Sequence, residues 1–247
     1  MIFIKRHIIS TLLFCSFTIL SARAEQVLLG AEDSWPPYSD KNGEGIATNL
    51  IKAAYEKVGI DVKIQVRPYA RVLQDVKNGL LDGGYDVTRQ ENTEREFIFG
   101  REPIFQAKAF WYFPPNTPHK FSNLAAIPNG FRVGGIIDYE YGDIYEHERH
   151  RFNEIRVSRQ SQLVNMLIRG RLDAAIMFEE EANQTLIGMN LPSEAITKVI
   201  YNHTSDIYVA FSKKRQSARF YAEELDKGIT LLKISGEYER LLKPDTP

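Results

Sequence analysis

The sequence predicts an α/β protein of two lobes, each a mostly parallel sheet with flanking helices. Three observations carry that expectation. Apolar, strand-like runs alternate with segments of helical periodicity along the chain, the pattern that builds parallel sheets. The order of those segments occurs twice within 247 residues. The third observation is a shift of 91 residues that sets Gly79 on Gly170, Leu81 on Leu172, Asp82 on Asp173 and Gly83-Gly84 on Ala174-Ala175. The same shift sets Val72, Leu73 and Val76 on Leu163, Val164 and Leu167.

The first residues read as an export leader. MIFIKRH is basic through Lys5, Arg6 and His7, residues 8–20 are 13 apolar or small residues, and Ala22-x-Ala24 supplies a cleavage site. A membrane-spanning helix needs about 20 residues, so this stretch is short for one. The only cysteine, Cys15, lies inside it after Phe14, so the chain beyond Ala24 has none and does not depend on disulfides. Cleavage would leave 223 residues. Of 31 basic residues, Lys5, Arg6 and Arg23 would leave with the leader, so 28 would face 32 acids, a balance of −4. That balance argues against nucleic acid or an anionic membrane as partner.

The elements follow in order. EQVLLGA (25–31) reads as a buried strand. GIATNLIKAAYEKVG (45–59) sets Ile46, Leu50, Ala53, Ala54 and Val58 at helical spacing and stops at Gly59. VKIQV (62–66) alternates as a strand does, YARVLQDVKNG (69–79) is a second helix and GGYDV (83–87) a third strand. WYFPPNTPHK (111–120) is proline-rich and reads as the crossing between lobes. The second unit runs FRVGGII strand, helix through YGDIYEHERHRF, IRV strand, RQSQLVNMLIRG helix and LDAAIMF strand. HTSDIYVAFSKK (203–214) returns the chain, and SARFYAEELDKGITLLKISG and EYERLLK are helices packing on the first lobe. Gly79 and Gly170 suit the left-handed residue after a helix, and Asp82 and Asp173 are assigned to holding the turn that follows.

A phosphate loop runs from strand through glycines into helix with G-x-x-x-x-G-K-[ST], and the chain has no such run and no G-x-S-x-G. His147 and His150 with Glu146 and Glu148 read as a solvated helix face rather than metal ligands. No Ser/His/Asp or Cys/His set stands out, so neither a catalytic set, a metal nor a cofactor is expected. Open α/β sheets bind ligands beyond the C-terminal ends of their strands. That rule selects AEDSWPPY (31–38), YDVTRQENTERE (85–96), DYEYGD (138–143) and FEEEAN (178–183). Trp35 and Tyr38 flank two stiffening prolines and offer aromatic faces to a ligand, though packing at the lobe edge explains a tryptophan equally well. Tyr69 and Arg71 open a helix, where arginine gains nothing from the dipole. Arg89 and Arg95 could fork onto a carboxylate, or pair with Glu91, Glu94 or Glu96.

Taken together and in this order, WPPYSDKNGEGIATNLIKAAYEKVG, RPYARVLQDVKNGLLDGGYDV, TEREFIFGREPIF, VGGIIDYEYGD, LIRGRLDAAI and YVAFSKK resemble the bacterial periplasmic solute-binding proteins of the amino-acid-binding type, extracellular solute-binding family 3. The resemblance covers nearly all of residues 25–242. It implies a type II periplasmic binding protein fold with two crossover strands, a signal peptide at 1–24, lobe 1 at 25–110 and 207–247, and lobe 2 at 111–206. It also implies hinge closure on an amino acid or related carboxylate in the periplasm, as a monomer. Delivery would be to an ABC importer, with a membrane receptor as the alternative partner and a dehydratase-like enzyme as the alternative activity. An aromatic at Trp35 would stack on the ligand, and Arg95 of Thr93-Glu94-Arg95 would clamp its carboxylate. Tyr85, Asp86 and Thr88 would assist, Arg71 would join from the first lobe, and Tyr139 and Glu179 would close over from the second. The chain departs from the family at Asn49, where an acid is usual, in a longer 86–95 segment, and at Phe178, where the acid for an amino group is expected.

Overall fold

The computed structural model describes residues 25–117 and 121–243. The leader read at 1–24 lies outside the described residues.

β1 (Glu25–Glu32) lies between β2 (Ile60–Arg67) and β3 (Gly83–Thr88), parallel to both. α1 (Ile46–Glu56) and α2 (Tyr69–Asn78) make the crossovers. Each buries one stripe, Ala47, Leu50, Ile51 and Ala54 on α1 and Val72 and Val76 on α2, the spacing of a helix laid on a sheet. The second unit repeats the plan. β6 (Arg132–Ile136) lies between β7 (Asn153–Val157) and β8 (Ala174–Phe178), parallel to both. Here α4 (Asp143–Glu148) and α5 (Gln160–Ile168) make the crossovers, and α6 (Glu179–Gly188) leaves β8 directly.

Two long strands join the units. β9 (Thr197–Ser212) pairs antiparallel with β5 (Phe105–Phe113) over Thr197 to Ile207, and with β3 and β4 (Phe97–Phe99) over Ile207 to Ser212. β5 in turn pairs antiparallel with β8. Among the described residues one mixed sheet therefore runs β2-β1-β3-β9-β5-β8-β6-β7, with β4 beside β9. Each half is three parallel strands plus one antiparallel strand that carries the chain across.

The crossing differs from the sequence expectation in one respect. Trp111, Tyr112 and Phe113 belong to β5 itself, and Pro114 begins the turn that follows. Proline has no N–H for a sheet ladder, so the crossing strand is complete before the prolines start. The helix expected through residues 141–152 is also shorter, ending at Glu148 in a 3-10 turn, Arg149–Arg151.

The joint in the repeat has the same build in both halves. Gly79 and Gly170 have φ of 76° and 64°, left-handed values that glycine adopts freely. The Asp82 carboxylate accepts the Leu28 N–H at 2.9 Å, and Asp173 accepts the Arg132 N–H at 2.9 Å. Their own N–H groups donate back to the carbonyls of Leu28 and Arg132 at 2.9 Å each. Each aspartate thus ties the start of its strand to the neighbouring one. Past the joint, a Cβ on Gly84 would lie 2.4 Å from Val72 Cγ1, so the α2–sheet approach excludes even alanine.

α7 (Ala218–Ser235), followed by α8 (Glu237–Leu241), returns to the first half. Tyr55 Oη donates to the Tyr221 carbonyl and Tyr221 Oη to that of Gln26, each at 3.0 Å. These bonds pin α7 to both α1 and β1.

Candidate functional site

The C-terminal ends of β1, β3, β6 and β8 face one another where the halves meet. β1 ends on Glu32, and Trp35 follows in a loop with a cis Pro36–Pro37 bond. In β3 the register against β9 shifts between Gly84 and Val87, and Asp86 takes φ 70°. Such a bulge re-aims a side chain, and the Asp86 carboxyl accepts the Ser39 hydroxyl at 2.6 Å. Beyond β6, Arg156 donates to the carbonyls of Ile136 and Tyr139 at 2.8 and 2.9 Å, fixing the turn that presents Tyr139 and Glu140. Beyond β8, Glu181 sits in the first turn of α6.

These groups meet across the two halves. Tyr139 Oη donates to Glu32 Oε1 at 2.6 Å and lies 3.4 Å from Glu181 Oε1. A phenol has one proton, so with Glu32 accepting it, the longer contact is a hydrogen bond only when Glu181 is protonated. Tyr69 Oη donates to Glu140 Oε2 at 2.8 Å, and Gln160 donates to Glu181 Oε2 at 2.7 Å. Trp35, 1% exposed, packs against Tyr38 at 4.6 Å and Phe178 at 5.2 Å between ring centres. Tyr38 stacks on Phe105 at 4.3 Å, and Tyr69 meets Tyr139 edge-on at 5.0 Å.

The electrostatics are one-sided. Glu32, Asp86, Glu140 and Glu181 are all buried. Burial pushes Glu32 and Glu181 well above the usual carboxylate range, and the charge on Glu32 adds to the rise at Glu181. Burial lifts Asp86 to about 7 and Glu140 to about 8, each held back by its hydroxyl donor. Arg67, opposite Glu32 in the β1–β2 register, turns instead to Asp75 at 3.1 Å. Glu32 Oε2, Asp86 Oδ1 and Gln160 Oε1 are buried acceptors with no hydrogen-bond partner. Trp35 Nε1 is turned towards Glu181 but makes no hydrogen bond of ordinary geometry.

The structure brings together five of the residues selected from the sequence: Trp35, Tyr38, Tyr69, Asp86 and Tyr139. Tyr85 is fully buried inside the first half, 2.7 Å from Thr48 Oγ1. Thr88 donates to Ser205 at 3.3 Å, beside His203, whose Nε2 is 2.6 Å from the same hydroxyl and whose burial lowers it to about 4. Arg71 is exposed and pairs with Asp75 at 3.0 Å. The Arg95 side chain is 76% exposed and 3.5 Å from Glu91. It lines a groove of about 520 Å³ that runs past Ala70 and Thr93 to Tyr139 and Glu140. Arg89 is held by Glu94 and the Gly100 carbonyl and lies over Phe99 and Tyr208. Glu179 pairs with Lys198, away from the interior. His147 and His150 donate through Nδ1–H to the backbone carbonyls of Asp143 and His147.

Sequence reasoning missed Glu32, Glu140, Gln160, Phe178 and Glu181 as interior groups. Glu32 and Glu140 stood in segments that the strand-end rule had selected. Glu181 was one of three consecutive acids, and only the phase of α6 decides which of them turns inward.

No protein-family profile matches the chain, and no curated protein matches its sequence. Solved structures do. A histidine kinase sensor domain with similarity to periplasmic binding proteins superposes with a TM-score of 0.75 at 19% identity, over 89% of this chain and 95% of that one. An amino acid ABC transporter substrate-binding protein from Streptococcus pneumoniae, bound to L-arginine, gives 0.71 at 18% identity, over 88% and 92%. An ancestral amino acid-binding protein, a precursor of cyclohexadienyl dehydratase, gives 0.70 at 15% identity, over 87% and 93%. The chain shares the periplasmic binding protein fold with these proteins.

Proposed function

We propose that this chain is a periplasmic solute-binding protein of the family 3 type, which captures a small polar ligand by closing its two halves. The observation that carries the reading is the pair of hydrogen bonds across the halves at the strand ends, Tyr139 to Glu32 and Tyr69 to Glu140. In this reading lobe 1 is residues 25–110 with 207–247, lobe 2 is 111–206, and the leader at 1–24 directs export. The boundaries at 110/111 and 206/207 fall inside β5 and β9, which would act as the hinge. A ligand drives closure only through contacts that the open form lacks. A micromolar ligand needs about −8 kcal/mol net, a scale that aromatic stacking and a few buried charged hydrogen bonds reach.

Trp35, Tyr38, Tyr69, Asp86 and Tyr139 would hold the ligand inside. Arg95 at the groove, Arg71, Tyr85, Thr88 and Glu179 would serve at the rim or as support. The partners would be the membrane subunits of an ABC importer or a membrane receptor. The similar structures include an amino acid ABC transporter substrate-binding protein and a histidine kinase sensor domain, which supports both outlets. Native mass spectrometry of the protein purified from the periplasm, followed by scattering with and without the ligand found, tests the reading. A bound small molecule that raises the melting temperature and reduces the radius of gyration is the expected result. A protein that carries nothing and does not compact with any amino acid, amine or carboxylate would sink it.

Glu140, lifted to about 8 beside Tyr69, favours a second reading, in which a protonated carboxyl acts as general acid in a dehydratase-like enzyme. Recovery of the ligand unchanged after prolonged incubation decides between the two.

A further inference from the structure

The interior between the halves holds three unpartnered acceptors against one unpartnered donor, Trp35 Nε1. Its unpartnered acceptors are Glu32 Oε2, Asp86 Oδ1 and Gln160 Oε1, on residues 3%, 6% and 3% exposed. Native proteins rarely leave buried acceptors unpaired without a reason. The carboxyls come from different elements, β1, β3 and α6, and two of them approach the same hydroxyl, that of Tyr139. The bases at the edge are committed elsewhere. Arg67 turns to Asp75 at 3.1 Å, Arg156 to Glu154 at 2.7 Å, and Arg159 is 3.8 Å from Asp33. An inserted group that donates several hydrogen bonds and carries positive charge would satisfy these acceptors and favour their ionised form. Aromatic walls accept such a charge on their faces, and Trp35 packs on Tyr38 and Phe178 beside Tyr139, the ring whose hydroxyl meets Glu32. Among the described residues no three acidic, histidine or cysteine side chains converge closely enough to hold a metal ion. An organic ammonium group has three donors to offer acceptors on different side chains.

Resting on the binding reading above, we propose that Glu32, Asp86 and Glu181, walled by Trp35, Tyr38 and Phe178, take the ammonium group of an organic amine as the deepest part of the ligand. Arg95, at the rim, lies outside this pocket, so a carboxylate on the ligand is not required. The ligand class is small aliphatic amines and diamines, in place of amino acids gripped by their carboxylate. Entry requires the halves to part, which breaks the Tyr139–Glu32 and Tyr69–Glu140 hydrogen bonds. The ammonium then replaces Tyr139 as the donor to Glu32.

The test is calorimetry and thermal shift with putrescine, cadaverine, agmatine, L-arginine, L-glutamate, succinate and calcium chloride. The expected result is micromolar binding of at least one amine lacking a carboxylate. Glu181→Gln and Glu32→Gln should each weaken it at least tenfold while the melting temperature of the free protein holds or rises. Glu102→Gln, at the exposed ion pair with Lys233, should leave affinity within twofold. Binding of succinate or L-glutamate with no response to any amine overturns the inference and leaves a solute-binding protein standing. Calcium binding alone overturns it in favour of a metal. Amine binding that both glutamine variants retain places the amine elsewhere and overturns the site. No response to any probe overturns the inference, and the scattering experiment above then decides the binding reading separately.

Discussion

The phenol of Tyr139 donates to the carboxyl of Glu32 at 2.6 Å, joining residues 107 positions apart and on opposite halves of the sheet. Both partners are buried, so the bond exists only while the halves are together. Under the proposed closure of the two halves, it makes the closed form cohesive without a ligand and ties that closure to the charge on one carboxyl.

Tyr139→Phe removes the donor and keeps the ring. Glu32 Oε1 is left buried without a partner, which costs about 1–3 kcal/mol in the closed form. The open form carries no such cost. Small-angle scattering of the ligand-free variant should give a larger radius of gyration than the parent, with the urea midpoint falling by less than the full penalty.

The pH profile should favour mild acid. Asp86 and Glu140 are raised to about 7 and 8 from 3.8 and 4.5. The folded chain therefore holds protons that the unfolded chain releases, and stability falls as pH rises from about 4 towards 8. Asp173 and Glu154 are shifted the other way, held low chiefly by Arg132 and by Arg156, so their contribution is lost only in stronger acid. His203, lowered to about 4 by burial, opposes the slope below pH 6.5 without outweighing the two raised carboxyls. Melting temperature should be higher at pH 5.5 than at pH 8. The double variant Asp86→Asn, Glu140→Gln should flatten that slope. Asparagine suits the left-handed backbone at position 86.

Amine binding at pH 7 should release protons. A cation favours the ionised form of Glu32, Asp86, Glu140 and Glu181, all of which burial shifts towards the protonated form. Titrations in phosphate and in Tris should give different apparent enthalpies, the difference reporting protons released per ligand. Equal enthalpies would mean that the carboxyls are already ionised.

Asp82→Ala and Asp173→Ala should each destabilise by roughly 1–2 kcal/mol, because each leaves a backbone N–H without its acceptor. Asp173→Ala should cost more. Asp173 also holds the Arg132 guanidinium at 2.6 Å, whereas Asp82 has Arg215 only at 3.4 Å. Urea denaturation of the two variants checks the order.

Gly84→Ala should destabilise by about 1–3 kcal/mol through overpacking against Val72. Val72→Ala in the same chain should recover part of that loss, read as a coupling energy in a double-mutant cycle.

The joints were legible in the sequence because the backbone demands them. A left-handed position after a helix selects glycine, and the carboxylate that ties strand to strand stands at a fixed distance from it, so Gly79 with Asp82 and Gly170 with Asp173 could be read in pairs. The strand-end rule located the site for a similar reason, since it depends on topology rather than on side-chain detail. The interior acids were not legible. An acid at a strand end reads as a solvated group unless its neighbours are known, and Glu32 and Glu140 acquire theirs only from the opposite half. Glu179 and Glu181 show the second obstacle. Two positions at a helix start differ by about 200° around the axis, and nothing in a run of three glutamates marks the inner one. Arg95 shows the third. Its side chain leaves a short helix, α3 (Glu91–Glu96), outward, a direction that depends on where that helix begins.

The topology also orders the birth of the molecule. Every strand of the second half lies within residues 105–212, but β3 obtains its antiparallel neighbour only from Ile207 to Ser212. A ribosome working from the N-terminus finishes β1, β2 and β3 more than a hundred residues before that neighbour exists. The first-made half is thus the last to be completed, and until then its open edge is the chain's main exposure to misassociation.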